Sequence, residues 1–157
     1  MRSKRLLSLL AATTGAAVLT VVGLGLGPGG QQALAHKEPH IPEELKAFED
    51  VFTEQVILGD LLFHGDTEAQ QELGVSLSDT GMACAMCHPD GSDVHPHEFP
   101  KYQQQMQEFA TLRDMINWCI EKPNQGTKID SDSPAMKALE AYIYWSNSGS
   151  MLDPGRH

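Results

Sequence analysis

The pentapeptide Cys84-Ala85-Met86-Cys87-His88 constrains this chain more than any other feature. Cys-x-x-Cys-His is the attachment sequence for c-type haem. The two thiols form thioethers with the haem vinyl groups, and the histidine that follows presents an imidazole nitrogen to the iron. A chain attached in this way folds around a rigid apolar plate, and its chemistry then depends on the ligand at the other face of the iron. Cys-x-x-Cys also occurs in thioredoxin-like redox pairs and in zinc sites. The first sits in a βαβ pattern, which does not surround residues 82–89. A zinc site of four cysteines needs a second pair, and the chain has only one further cysteine, Cys119.

The N-terminus points the same way. Arg2, Lys4 and Arg5 precede an uncharged run over residues 6–26, and Ala33-Leu34-Ala35 supplies an Ala-x-Ala cleavage site. This is the layout of a signal peptide over residues 1–35, leaving 36–157 as a single domain of 122 residues. The apolar run approaches the length of a membrane span, so an uncleaved anchor is the alternative, and the one way this chain would meet a membrane. Covalent haem attachment takes place outside the cytoplasm, so both features predict a periplasmic protein.

Cleavage removes three basic residues and no acidic ones, leaving 8 Lys+Arg against 21 Asp+Glu and a formal net charge of −13. Such a surface argues against nucleic acid and anionic membranes as partners. It suits a redox partner protein with a basic patch, and serves equally to keep an exported protein soluble.

Along the chain, Pro42-Glu43-Glu44 opens a helix, with proline in the first turn and acids at its positive end. Phe48, Val51, Phe52, Val56, Ile57, Leu61 and Leu62 carry the helical spacing to His64-Gly65. Residues 65–81 and 89–99 are rich in turn formers and read as loops. Thr111 and Asp114 mark the start of a helix that ends before Pro123, and Ser133-Pro134 starts another. The latter has Met136, Leu139, Tyr142, Ile143 and Trp145 on its apolar face. No segment reads as a convincing strand. The expected fold is all-α: a small cytochrome c-like domain of short helices packed around one covalently bound haem c.

The second axial ligand is the open question. Leu112, Met115, Ile116 and Cys119 lie at i, i+3, i+4 and i+7, one helical face that should be buried, with Arg113, Asp114 and Asn117 to the sides or outside. Cys119 is an odd cysteine in an oxidising compartment. It is the distal ligand as thiolate, an inert core thiol, or half of an intermolecular disulfide. The rival donor is a methionine among Met106, Met115, Met136 and Met151, with Met136 the best placed at the start of the last helix. His95 and His97 sit close to His88 in sequence and read as surface histidines. His64, at the end of its helix, suits the negative end of the helix dipole.

The stretches Phe99-Pro100-Lys101-Tyr102 and Thr111-Leu112-Arg113-Asp114-Met115-Ile116-Asn117-Trp118-Cys119 resemble the cytochromes of thiosulfate oxidation, the SoxA-type subunits and thiosulfate dehydrogenases. Asn124-Gln125-Gly126, Ser133-Pro134-Ala135-Met136, Ala138-Leu139-Glu140-Ala141-Tyr142-Ile143 and Pro154-Gly155-Arg156-His157 continue the likeness. The resemblance implies His88 and Cys119 as the axial pair, with Cys84 and Cys87 holding the haem. It departs from the pattern at Met115, where such proteins commonly carry arginine, and in having one haem sequence where catalytic thiosulfate dehydrogenases have two. Leu58-Gly59, Leu62-Phe63-His64 and Leu77-Ser78 also look like segments of dihaem peroxidases, which again need a second haem. A thiolate donor lowers the potential of the iron, so the expected function is electron transfer through one low-potential haem, alone or as a subunit of a sulfur- or nitrogen-compound oxidoreductase, with a redox partner protein or a second cytochrome subunit. Thiosulfate oxidation and binding of nitric oxide or carbon monoxide are the alternatives.

Overall fold

The computed structural model describes residues 40–150. The expected leader over residues 1–35, its cleavage site, Met151 and the terminal Pro154-Gly155-Arg156-His157 lie outside the described residues.

Helix α1 (Pro42–Phe63) begins where proline and two acids predict it, and the Ile41 amide donates to the Glu44 carboxylate at 3.2 Å. Its last turns are the covered ones. Val56, Gly59, Leu62 and Phe63 are buried, and they pack against α5 (Pro134–Ser146). Gly59 stands at that crossing, where a Cβ would collide with the Ala138 carbonyl and the Cβ of Tyr142. The same stripe runs on toward the N-terminus through Phe52, Phe48, Leu45 and Ile41, which are 47, 54, 46 and 56% exposed. Helical spacing therefore marks the helix correctly without marking which of its turns the domain covers.

Within the segment read as a loop, residues 65–81, lies the short helix α2 (Thr67–Glu72), capped by Asp66, whose carboxylate accepts from the Ala69 amide at 2.8 Å. Fewer than two turns leave little periodicity to read. The haem sequence forms the single turn α3 (Cys84–Cys87). After it the chain runs through two 3-10 turns, Pro89–Gly91 and Pro96–Glu98, with left-handed backbone at Asp90, Asp93 and His95, as a segment of turn formers should.

A hairpin follows. β1 (Lys101–Gln103) and β2 (Glu108–Ala110) are antiparallel, with Lys101 opposite Ala110 and Gln103 opposite Glu108. Three-residue strands are too short to show alternation, which is why the sequence offers no convincing strand. The fold is otherwise helical, in line with the expected class.

α4 (Leu112–Glu121) is capped reciprocally. Thr111 Oγ1 accepts the Asp114 amide at 3.2 Å, and the Asp114 carboxylate accepts the Thr111 amide at 2.9 Å. Ser133 Oγ accepts the Met136 amide at 3.2 Å to start α5. The C-terminal half of α1, α4 and α5 enclose the core. Asn117 corrects the sequence reading, which sets it to the side or outside of α4. It is 1% exposed, because its amide donates to the Ile129 carbonyl and accepts the Ile129 amide, both at 2.9 Å. A polar side chain with its donors and acceptors satisfied is tolerated in a core.

Candidate functional site

α3, α4, α5, the end of α1 and the hairpin surround one cavity of about 370 Å³, within the range of small-molecule and cofactor sites. Its walls are mainly apolar, from Phe63, Phe99, Leu112, Ile116, Leu139 and Ile143. Cys84, Cys87, His88 and Cys119 all line it, so the structure brings the four sequence-predicted site residues to one place. The single turn of α3 puts Cys84 and Cys87 three residues apart on one side. The His88 amide donates to the Cys84 carbonyl at 2.9 Å and closes that turn.

The His88 ring is oriented from behind. Nδ1 lies 2.9 Å from the Ser92 carbonyl oxygen. A carbonyl only accepts, so Nδ1 carries the proton and Nε2 presents its lone pair, the arrangement usual for metal-bound imidazole.

All four residues of the predicted α4 face, Leu112, Met115, Ile116 and Cys119, line the cavity. Cys84 and Cys119 are partly buried in this low-dielectric space, whereas Cys87 is exposed. Burial, reinforced by Cys119, pushes the Cys84 thiol up to about 12. Burial, reinforced by Cys87, pushes Cys119 up to about 11.

Other candidates separate cleanly. Met136 is 0% exposed in the core and does not line the cavity, whereas Met115 does. The Gln103 side-chain amide donates to the Met115 sulfur at 3.3 Å. His97 packs against Tyr144 with ring centroids 5.3 Å apart and the rings tilted by 52°, and it does not line the cavity. His95, read from sequence as a surface residue, lines the cavity, because its left-handed backbone turns the loop inward. Sequence also misses Lys101 and Gln103, which reach the site from the hairpin. The Lys101 ammonium is bound by Glu98 at 2.8 Å, and His95 Nδ1 lies 3.8 Å from the same carboxylate. His64 lies at the end of α1, where Nδ1 is 2.9 Å from Asp60.

Short helices around an apolar cavity, with Cys-x-x-Cys-His on a turn at its wall, define a c-type cytochrome domain. Residues 75–152 match the family model of the SoxA/TsdA cytochrome c domain. A thiosulfate dehydrogenase of Psychrobacter arcticus is 26% identical over 114 residues, 67% of this chain and 33% of that protein. Residues 75–152 thus form a SoxA/TsdA-like cytochrome c domain, and the chain spans about a third of the length of the curated relative it matches. The family implies a c-type haem, and the cavity fits one in its apolar walls, paired thiols and oriented imidazole.

Proposed function

We propose that this protein is a periplasmic electron-transfer cytochrome with one covalently attached haem, whose iron His88 and Cys119 would hold. The observation that carries this reading is the convergence of Cys84, Cys87, His88 and Cys119 on one apolar cavity. Haem supplies a one-electron couple at iron, and a thiolate ligand favours the ferric state, lowering the potential relative to a thioether. Cys84 and Cys87 would form the thioethers and anchor the group. Ser92 fixes the His88 tautomer, and the apolar side chains of α4 and α5 exclude water. The N-terminal leader and the attachment sequence support export to the periplasm.

The name of the relative raises thiosulfate oxidation as a second reading. A sulfur oxyanion needs unsatisfied positive charge. At this cavity Lys101 is engaged by Glu98, His95 faces the same carboxylate, and Met115 stands where an arginine is common in such proteins. Electron transfer, with a separate redox partner, is therefore the better reading.

Near-infrared and EPR spectra of the wild type, Cys119→Ala and Met115→Leu test the ligation. Thiolate signatures are expected in the wild type and in Met115→Leu, and are lost in Cys119→Ala. A thioether-to-iron band that persists in Cys119→Ala and disappears in Met115→Leu, with wild-type spectra showing the same band, would overturn the assignment. In steady state, the protein alone should not reduce an artificial acceptor when given thiosulfate.

A further inference from the structure

Phe63, in the cavity wall, is the inner member of a row of aromatic rings that reaches the surface. Its centroid is 5.0 Å from that of Tyr142, which is 6.3 Å from that of Trp145. Tyr142 is buried at 4% exposure, whereas Trp145 is 55% exposed. The row follows from α5 itself. Leu139, Tyr142 and Ile143 point into the core, and Trp145, three residues beyond Tyr142, falls at the edge of that face. Trp145 is one of several large apolar side chains left exposed, and the one that continues this row; tryptophan is enriched at the energetic centres of interfaces.

Two carboxylates lie near Tyr142, the neighbour of Trp145 in the row. Asp60 is 2.9 Å from His64 Nδ1, whose ring centroid is 6.0 Å from that of Tyr142; the Asp60 side chain is 51% exposed, and its charge reaches the Tyr142 hydroxyl. Asp90 is exposed, and its charge also reaches that hydroxyl. It is held at the end of α5, where the Asn147 side-chain amide donates to the Gly91 carbonyl at 2.9 Å. The face is apolar at Trp145 and negative at its rim, on a chain with a net charge of −10.

We infer that the Trp145 face, rimmed by Asp60 and Asp90, docks a redox protein with a cationic rim, and that the electron crosses along the Trp145–Tyr142–Phe63 row. This rests on the haem reading of the cavity. None of the three rings is oxidised or reduced. One electron leaves the donor's centre and one arrives at the acceptor's, with no bond broken and no proton moved. The rings fill the intervening space with packed atoms, so that no layer of water separates the docked partner from the cavity wall. The competing face is the haem sequence itself, where Met86 is 66% exposed.

The test is stopped-flow electron transfer from the reduced holoprotein to a small basic cytochrome c, over a range of ionic strength. Asp60→Asn with Asp90→Asn should lower the second-order rate about 3–10-fold at low salt and flatten its salt dependence. Trp145→Ala should lower the rate on the order of tenfold while keeping the wild-type slope, since it removes contact and not charge. Glu108→Gln with Glu121→Gln, two exposed carboxylates elsewhere, should stay within about twofold of wild type. The haem spectrum and thermal midpoint of each variant establish that it is folded. Wild-type rates and slopes in the Trp145 and Asp60/Asp90 variants, or a loss confined to Met86→Glu, would overturn the inference. Failure of the underlying haem reading would appear earlier and separately, as a wild-type protein with no c-type haem spectrum.

Discussion

Asn117 and Cys119 sit two residues apart on α4 and show what a sequence does and does not disclose about a single side chain. Cys84, Cys87 and His88 are legible because their chemistry is local: two thiols and an imidazole at fixed spacing need no tertiary structure to be recognised. Cys119 is legible only as an odd cysteine on a face that should be buried, and the structure places it on the cavity that Cys84, Cys87 and His88 also line. Asn117 is not legible at all, since its partner Ile129 comes from the loop after α4, 12 residues on. Helical angle places it at the side of the apolar face, but depth depends on what packs there. Asn117→Ala leaves both backbone groups of Ile129 buried without a partner, at about 1–3 kcal/mol each. A loss of about 2–6 kcal/mol in urea unfolding of the holoprotein is expected. A loss below about 0.5 kcal/mol, the range of an ordinary surface change, would show that water replaces the amide without cost.

Helix α1 is the element on which spacing and burial part company. Its caps, length and end follow from Pro42, the first-turn acids and Gly65, and its apolar residues recur as one stripe. The stripe says which face is apolar. Which turns are covered depends on where α5 crosses, and Gly59 sets that crossing. α2 and the β1–β2 hairpin escaped the sequence because each is too short to carry a period. Leu62, 1% exposed, and Phe48, 54% exposed, therefore carry different energetic weight despite sharing a stripe. Leu62→Ala is expected to cost about 2–5 kcal/mol, whereas Phe48→Ser should change stability by no more than about 0.5 kcal/mol. Denaturant midpoints of the two variants check this directly. Equal losses would mean that the first turns of α1 are covered in solution.

At the scale of the whole molecule, the cavity governs stability as well as function. Helices α3, α4 and α5 and the hairpin all border the cavity of about 370 Å³. The core beneath is narrow, confined to the crossing of α1 with α5 and the buried face of α4. A thin core and a large cavity together mean that the prosthetic group is part of the fold, as ligand linkage requires of anything that binds only the native state. Cys84→Ser with Cys87→Ser, produced without haem, should keep much of its far-UV helical signal while losing near-UV signal and binding ANS. The helices of α1 and α5 should hold longest, since their contact at Gly59 does not touch the cavity, and amide exchange should be fastest in α3 and the hairpin. A haem-free double variant that unfolds cooperatively at the wild-type midpoint would show that the walls collapse onto one another, and that the apolar faces of α4 and α5 specify the fold without the plate between them.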